Sequence, residues 1–167
     1  EGDQPFGRLA WISTWGTRCG IATYSENLVT HASWQIKIFA SELTESDKTL
    51  DVDTDEQSGT CTRCWHSGGT DDLHRLACEL DAFAPAAVVI QFNYGFFDLS
   101  ALAGLIENQK AQGRVVMVVL HSTQEPPDMP ERSLSLIVPA LAQCDRLLVH
   151  GVHDLNRLKG IGLTNNT

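Results

Sequence analysis

The sequence predicts a doubly wound α/β domain built on a parallel sheet, and three observations predict it. Apolar runs of strand length alternate with stretches of helical periodicity along the whole chain. The two most apolar runs, Ala86–Phe92 (AAVVIQF) and Val115–Leu120 (VVMVVL), are almost continuous rather than alternating, as in strands covered on both faces by helices. The first run, Arg8–Thr14 (RLAWIST), passes through a glycine-bearing turn into a helix, the unit from which such sheets are assembled.

Each element follows in order. From Ile21 the apolar residues fall at Ile21, Tyr24, Leu28, Val29 and Ala32, one stripe of a helix. Trp34–Ala40 (WQIKIFA) alternates with a period near two and predicts a second strand, and Thr60–Trp65 (TCTRCW) predicts a short third one. Thr70 is placed to cap a helix whose first turn carries Asp71 and Asp72 and whose buried stripe is Leu73, Leu76, Ala77 and Leu80, with Pro85 stopping it. Asp98 caps the next helix, with Leu99, Leu102, Ala103 and Ile106 on one side and Gly113 past its end. After a proline-bearing loop, Leu134, Ile137, Val138 and Leu141 mark a helix that Pro139 can kink. Arg146–Val149 is the last strand and about Val152–Lys159 the last helix. In this architecture ligands gather beyond the carboxyl ends of the strands. Three places therefore matter: the loop Gly16–Gly20, the turn Asn93–Phe97, and His121–Thr123.

At 167 residues with 43% hydrophobic, the chain is long enough for one domain with a core of its own. No apolar run reaches the roughly 20 residues of a membrane-spanning helix. Of the net charge of −9, the segment Glu42–Glu56 contributes −6, with seven acidic residues against Lys48, and it reads as an exposed loop. No basic face suits a phosphate backbone, so nucleic acid is not expected as a partner. Five cysteines, an odd number, do not read as a disulfide framework, and a reducing cytoplasm is the expected location.

Gly16 and Gly20 stand directly before a helix, where backbone N–H groups can face an anion, so Gly16, Thr17 and Gly20 are candidates for a phosphate-binding loop. The spacing is neither GxGxxG nor GxxxxGK[ST], and a turn that merely joins strand to helix remains the alternative. His121 ends the most apolar strand, which points its side chain at the crevice; the alternative is a histidine that caps loop carbonyls. Cys61-x-x-Cys64 with His66 lacks the four ligands of a closed zinc site and reads as buried strand cysteines. Asp51-Val-Asp53-Thr-Asp55 imitates a metal-binding DxD but lies in the acidic loop, where a solvated charge run is expected. Cys19 has no histidine and acid at matching spacing to make it a nucleophile.

Four stretches in order, Trp15–Tyr24 (WGTRCGIATY), Val89–Phe97 (VIQFNYGFF), Val116–Thr123 (VMVVLHST) and Leu147–Leu158 (LLVHGVHDLNRL), resemble the N-terminal domain of GT-B glycosyltransferases of the glycogen-synthase-like, retaining group. The resemblance implies a Rossmann-like sheet forming the N-terminal half of a GT-B architecture, with 1–167 as that single domain and the donor-binding domain lying beyond Thr167. It implies transfer of a sugar from a nucleotide-diphosphate sugar to a hydroxyl of a carbohydrate or lipid-linked acceptor, with retention. No metal or other cofactor is implied, and peripheral membrane association of the full protein is compatible with it. His121 takes the catalytic position beside the transferred sugar. The Gly16, Thr17 and Gly20 loop lies by the donor phosphates, and Asn93, Tyr94 and Phe97 line the acceptor side. The family's paired glutamates, eight positions apart, have no counterpart here, which fits their place in the donor domain. A sugar-nucleotide epimerase or hydrolase on the same fold, and a non-catalytic binding or scaffold module, are the alternatives.

Overall fold

The computed structural model describes residues 7–32, 34–47, 60–127, 129 and 132–167. Six strands, β1 (Leu9–Ser13), β2 (Ile36–Ser41), β3 (Cys61–Trp65), β4 (Ala87–Phe92), β5 (Val115–Leu120) and β6 (Arg146–Val149), form one sheet. Their order is β3-β2-β1-β4-β5-β6, and every pairing is parallel. This is the doubly wound Rossmann-like order, in which the chain starts in the middle and builds outward in both directions.

The helices are α1 (Gly20–Thr30), α2 (His74–Phe83), α3 (Leu99–Ala111), α4 (Val138–Leu141) and α5 (Val152–Gly160). They divide unequally between the two faces of the sheet. The larger core joins Ile12, Phe39, Ile90, Phe92, Val118 and Leu120 of the strands to Leu76 and Leu80 of α2, Leu102 and Ile106 of α3, Leu141 of α4 and Leu158 of α5. The smaller core joins Leu9, Trp11, Ile38, Val89 and Val119 to Tyr24 and Val29 of α1. Because successive strand residues point to opposite faces, these two sets interleave along each strand. Past Tyr24 the α1 face lies open: Val115 and Leu148 are 43% and 47% exposed.

Local chemistry sets the boundaries. Asp98 caps α3 by accepting from the Ala101 amide at 2.8 Å, as its sequence position predicts. The helix after β3 begins later than Thr70. Asp71 turns back to accept from the amides of His66 and Leu73, Asp72 accepts from the His74 amide, and Leu73 takes a left-handed φ of 58° before α2 starts at His74. The two aspartates thus organise a turn ahead of the helix. Pro139 does not kink one continuous helix; a 3-10 turn, Leu134–Ile137, precedes α4, and the proline sits in the first turn of α4, where its missing N–H costs no bond. Cys61 and Cys64 are buried on β3 and form no disulfide, and burial pushes the Cys64 thiol up to about 12, leaving it protonated and inert. The Asp51–Asp55 motif and most of the acidic segment lie outside the described residues.

Candidate ligand-binding site

The strand order reverses between β1 and β4, so the chain leaves β1 toward α1 on one face and leaves β4 toward α3 on the other. A crevice opens at such a switch point, beyond the carboxyl ends of the strands. Its two banks are the loop Thr14–Cys19 and the turn Asn93–Phe97.

The α1 face changes character at this edge. Up to Trp11, Val89 and Val119 it is apolar. Two residues further along each strand, on the same face, stand Ser13, Gln91 and His121, and His150 follows on β6, opposite His121 in the continued register of Leu120 with Val149. These side chains are joined in pairs. Ser13 Oγ lies 2.8 Å from Ser25 Oγ of α1, with both residues fully buried. Gln91 Oε1 lies 2.7 Å from His121 Nε2, and His121 Nδ1 lies 3.2 Å from His150 Nε2. Tyr24 of α1 meets both imidazoles edge-on, with ring centroids 5.0 and 5.4 Å away. Burial, and then the neighbouring His150, push the His121 pKa down to about 4, so this ring is neutral at physiological pH.

On the first bank, Gly16 has a φ of 60°, a left-handed conformation that favours glycine. Its amide donates to Glu26 Oε1 of α1 at 3.3 Å. An anion seeking that amide would have to displace the carboxylate. Arg63 of β3 anchors the loop from beneath, donating to the carbonyls of Trp15 and Ser41 at 3.2 and 2.8 Å. Gly20 opens α1, and nothing lies within 4 Å of where its Cβ would be, so the surrounding packing does not require a glycine there. Thr14 Oγ1, Thr17 Oγ1 and Gln91 Nε2 are buried without a partner among the described residues. Unpaired buried polar atoms are costly and uncommon.

On the second bank, Asn93 closes its own turn by accepting from the Gly95 amide at 2.9 Å. Tyr94 and Phe97 do not line an open cleft. Phe97 is 1% exposed and stacks on Trp65 at 4.8 Å, while Tyr94 is buried against Phe92 with its hydroxyl donating to the Thr123 carbonyl at 3.3 Å. Burial, with Glu125 adding to it, pushes the Tyr94 pKa up. Both rings are core residues that hold the bank in place.

Of the residues expected at the site, His121 and the glycine loop stand at the crevice, yet both ring nitrogens of His121 are already engaged. The outward member of the chain is His150, which sequence reasoning missed along with Gln91, Tyr24 and the two serines. The signals were present: Gln91 is the one polar residue in AAVVIQF, and His150 follows LLV as His121 follows VVL. A cavity of about 370 Å³ lies nearby, lined in part by Glu125, Leu134, Arg157 and Ile161. The row does not line it, and none of the orphaned polar atoms belongs to it. Among the described residues no three of His, Cys, Asp and Glu gather as they would around a metal ion, and no helix is long and apolar enough to cross a membrane.

No family model and no curated protein matches the chain. Among solved structures it is similar to a DNA-binding response regulator of the LuxR family from Staphylococcus aureus, at 12% identity over 91% of this chain and 97% of that one, with a TM-score of 0.38. The expectation of a nucleotide-sugar glycosyltransferase is corrected by these findings: that structure is a response regulator, not a glycosyltransferase. The sugar-nucleotide alternatives go with it, as do the donor, the acceptor, the donor-domain partner and the exclusion of nucleic acid. A likeness at that TM-score assigns no other function to this chain in exchange.

Proposed function

We propose that this chain is a ligand-binding domain that takes a small polar molecule in the crevice at the carboxyl edge of the sheet, with the Gln91–His121–His150 chain as its recognition element. One observation carries the reading. From the β4 side of the switch point toward the β6 edge, a continuous run of polar side chains begins at a fully buried glutamine and ends at an exposed imidazole. Apolar walls with a few convergent polar groups are the usual make-up of small-molecule sites. A core would gain nothing from a buried amide with one end unpaired, whereas a ligand or its bridging water would satisfy it. The buried cysteines, none of them in a disulfide, suit a reducing compartment such as the cytoplasm.

A thermal-shift screen against a collection of small polar metabolites, run in parallel on the wild type and on His150→Ala, tests this. At least one compound should raise the melting temperature of the wild type and lose that effect in the variant. Compounds that stabilise both equally, or a collection without any stabiliser, would sink the reading.

A further inference from the structure

The hydrogen-bond chain has a direction, and one residue sets it. A neutral imidazole has one N–H and one lone pair, so each ring in a chain must donate on one side and accept on the other. With Gln91 Oε1 facing His121 Nε2, that nitrogen carries the proton and His121 Nδ1 holds the lone pair. His121 Nδ1 then accepts from His150 Nε2–H, which leaves the lone pair of His150 on Nδ1. Reversing the amide would reverse every member in turn.

Resting on the crevice reading above, we infer that Gln91 is a positioning residue that sets the tautomer of both imidazoles, so that His150 Nδ1 offers an acceptor to a ligand bearing an O–H or N–H donor. Three further observations agree. The amide is on the central strand β4 at 0% exposure, where packing holds the side chain in place against His121. His121 is held neutral, so the inner end of the chain supplies no cation to attract an anion. The Gly16 amide of the glycine loop is taken by the Glu26 carboxylate. The ligand class is therefore an alcohol or amine rather than a phosphate or carboxylate.

The test is a two-bond proton–nitrogen NMR spectrum of the histidine rings at about pH 7.5, above the ordinary histidine range, in the wild type, Gln91→Glu and Gln91→Leu. Both rings should be protonated at Nε2 in the wild type. Gln91→Glu should keep that state, because a carboxylate can only accept, and Gln91→Leu should lose it to a tautomer mixture. Protonation of His121 at Nδ1 in the wild type, or a reversal in Gln91→Glu, would overturn the inference. If Gln91→Leu does not fold, the other two spectra decide. The ligand class is read from the same His150 signals on adding ethanolammonium chloride or sodium phosphate at equal ionic strength. Ethanolammonium should shift His150 Nδ1 and phosphate should not. A shift by phosphate refutes the donor-ligand class while leaving the crevice a binding site; no shift by either probe removes the crevice reading, and the ligand class with it.

Discussion

The two faces of the sheet are covered by different means and end differently. Among the described residues four helices cover one face, and its strand residues on β4 and β5 stay apolar to the last position, at Phe92 and Leu120. One described helix covers the other, and its strands turn polar at Ser13, Gln91 and His121. On β4 and β5 the first face gives its last strand positions to apolar packing and the second gives them to side-chain hydrogen bonds. Side-chain alternation makes the division possible, since neighbouring residues of one strand answer to different faces.

The comparison breaks most decisively at Phe97. If it belongs to the four-helix face, Phe97→Ala should cost about 3 to 5 kcal/mol in urea denaturation, the range for deleting a buried aromatic ring. A residue lining an open cleft would leave the midpoint almost unmoved. At the polar edge, Ser13→Ala orphans the buried Ser25 hydroxyl and should cost about 1 to 3 kcal/mol, and adding Ser25→Ala should recover part of that loss. If the double variant is as unstable as the two single losses summed, the serines do not form a unit. The next effect concerns pH. His121 titrates near 4 when folded, against an ordinary value of 6.5. Between those values the unfolded chain takes a proton that the folded chain refuses, so stability should be flat above this window and fall as pH drops through it. Melting curves across the window should show a steeper fall for the wild type than for His121→Gln. The smallest effect is on the open part of the α1 face, where Leu148→Lys should change stability by no more than about 0.5 kcal/mol. A larger loss would mean that this part of the face is covered.

Strand order aside, the fold was legible because burial on two faces writes itself as apolar runs such as VVMVVL, and a cap such as Asp98 marks a helix start with its own side chain. Boundaries were harder where a side chain had two local uses. Asp71 and Asp72 look like helix residues in sequence but serve the turn before α2, because their carboxylates reach the nearby amides first. The site was half legible. His121 announces itself by ending a strand, whereas its partnership with Gln91 and His150 depends on which strands become neighbours, and period and composition do not encode neighbours. Tyr94 and Phe97 misled for the converse reason: aromatic residues in a turn after a strand suit a binding wall and a buried brace equally until packing decides.

A row drawn from one residue per strand also determines which changes in length the site tolerates. An extra residue within β5 ahead of His121 would carry the imidazole to the opposite face, among Leu102 and Ile106, because register and facing are locked together at a period of two. The same insertion after Thr123, in the loop toward Leu134, would leave His121, Gln91 and His150 where they are. Lengthening and shortening should therefore be accepted between the elements and refused inside them, and strand spacing up to each polar residue is the part of this chain that divergence can alter least.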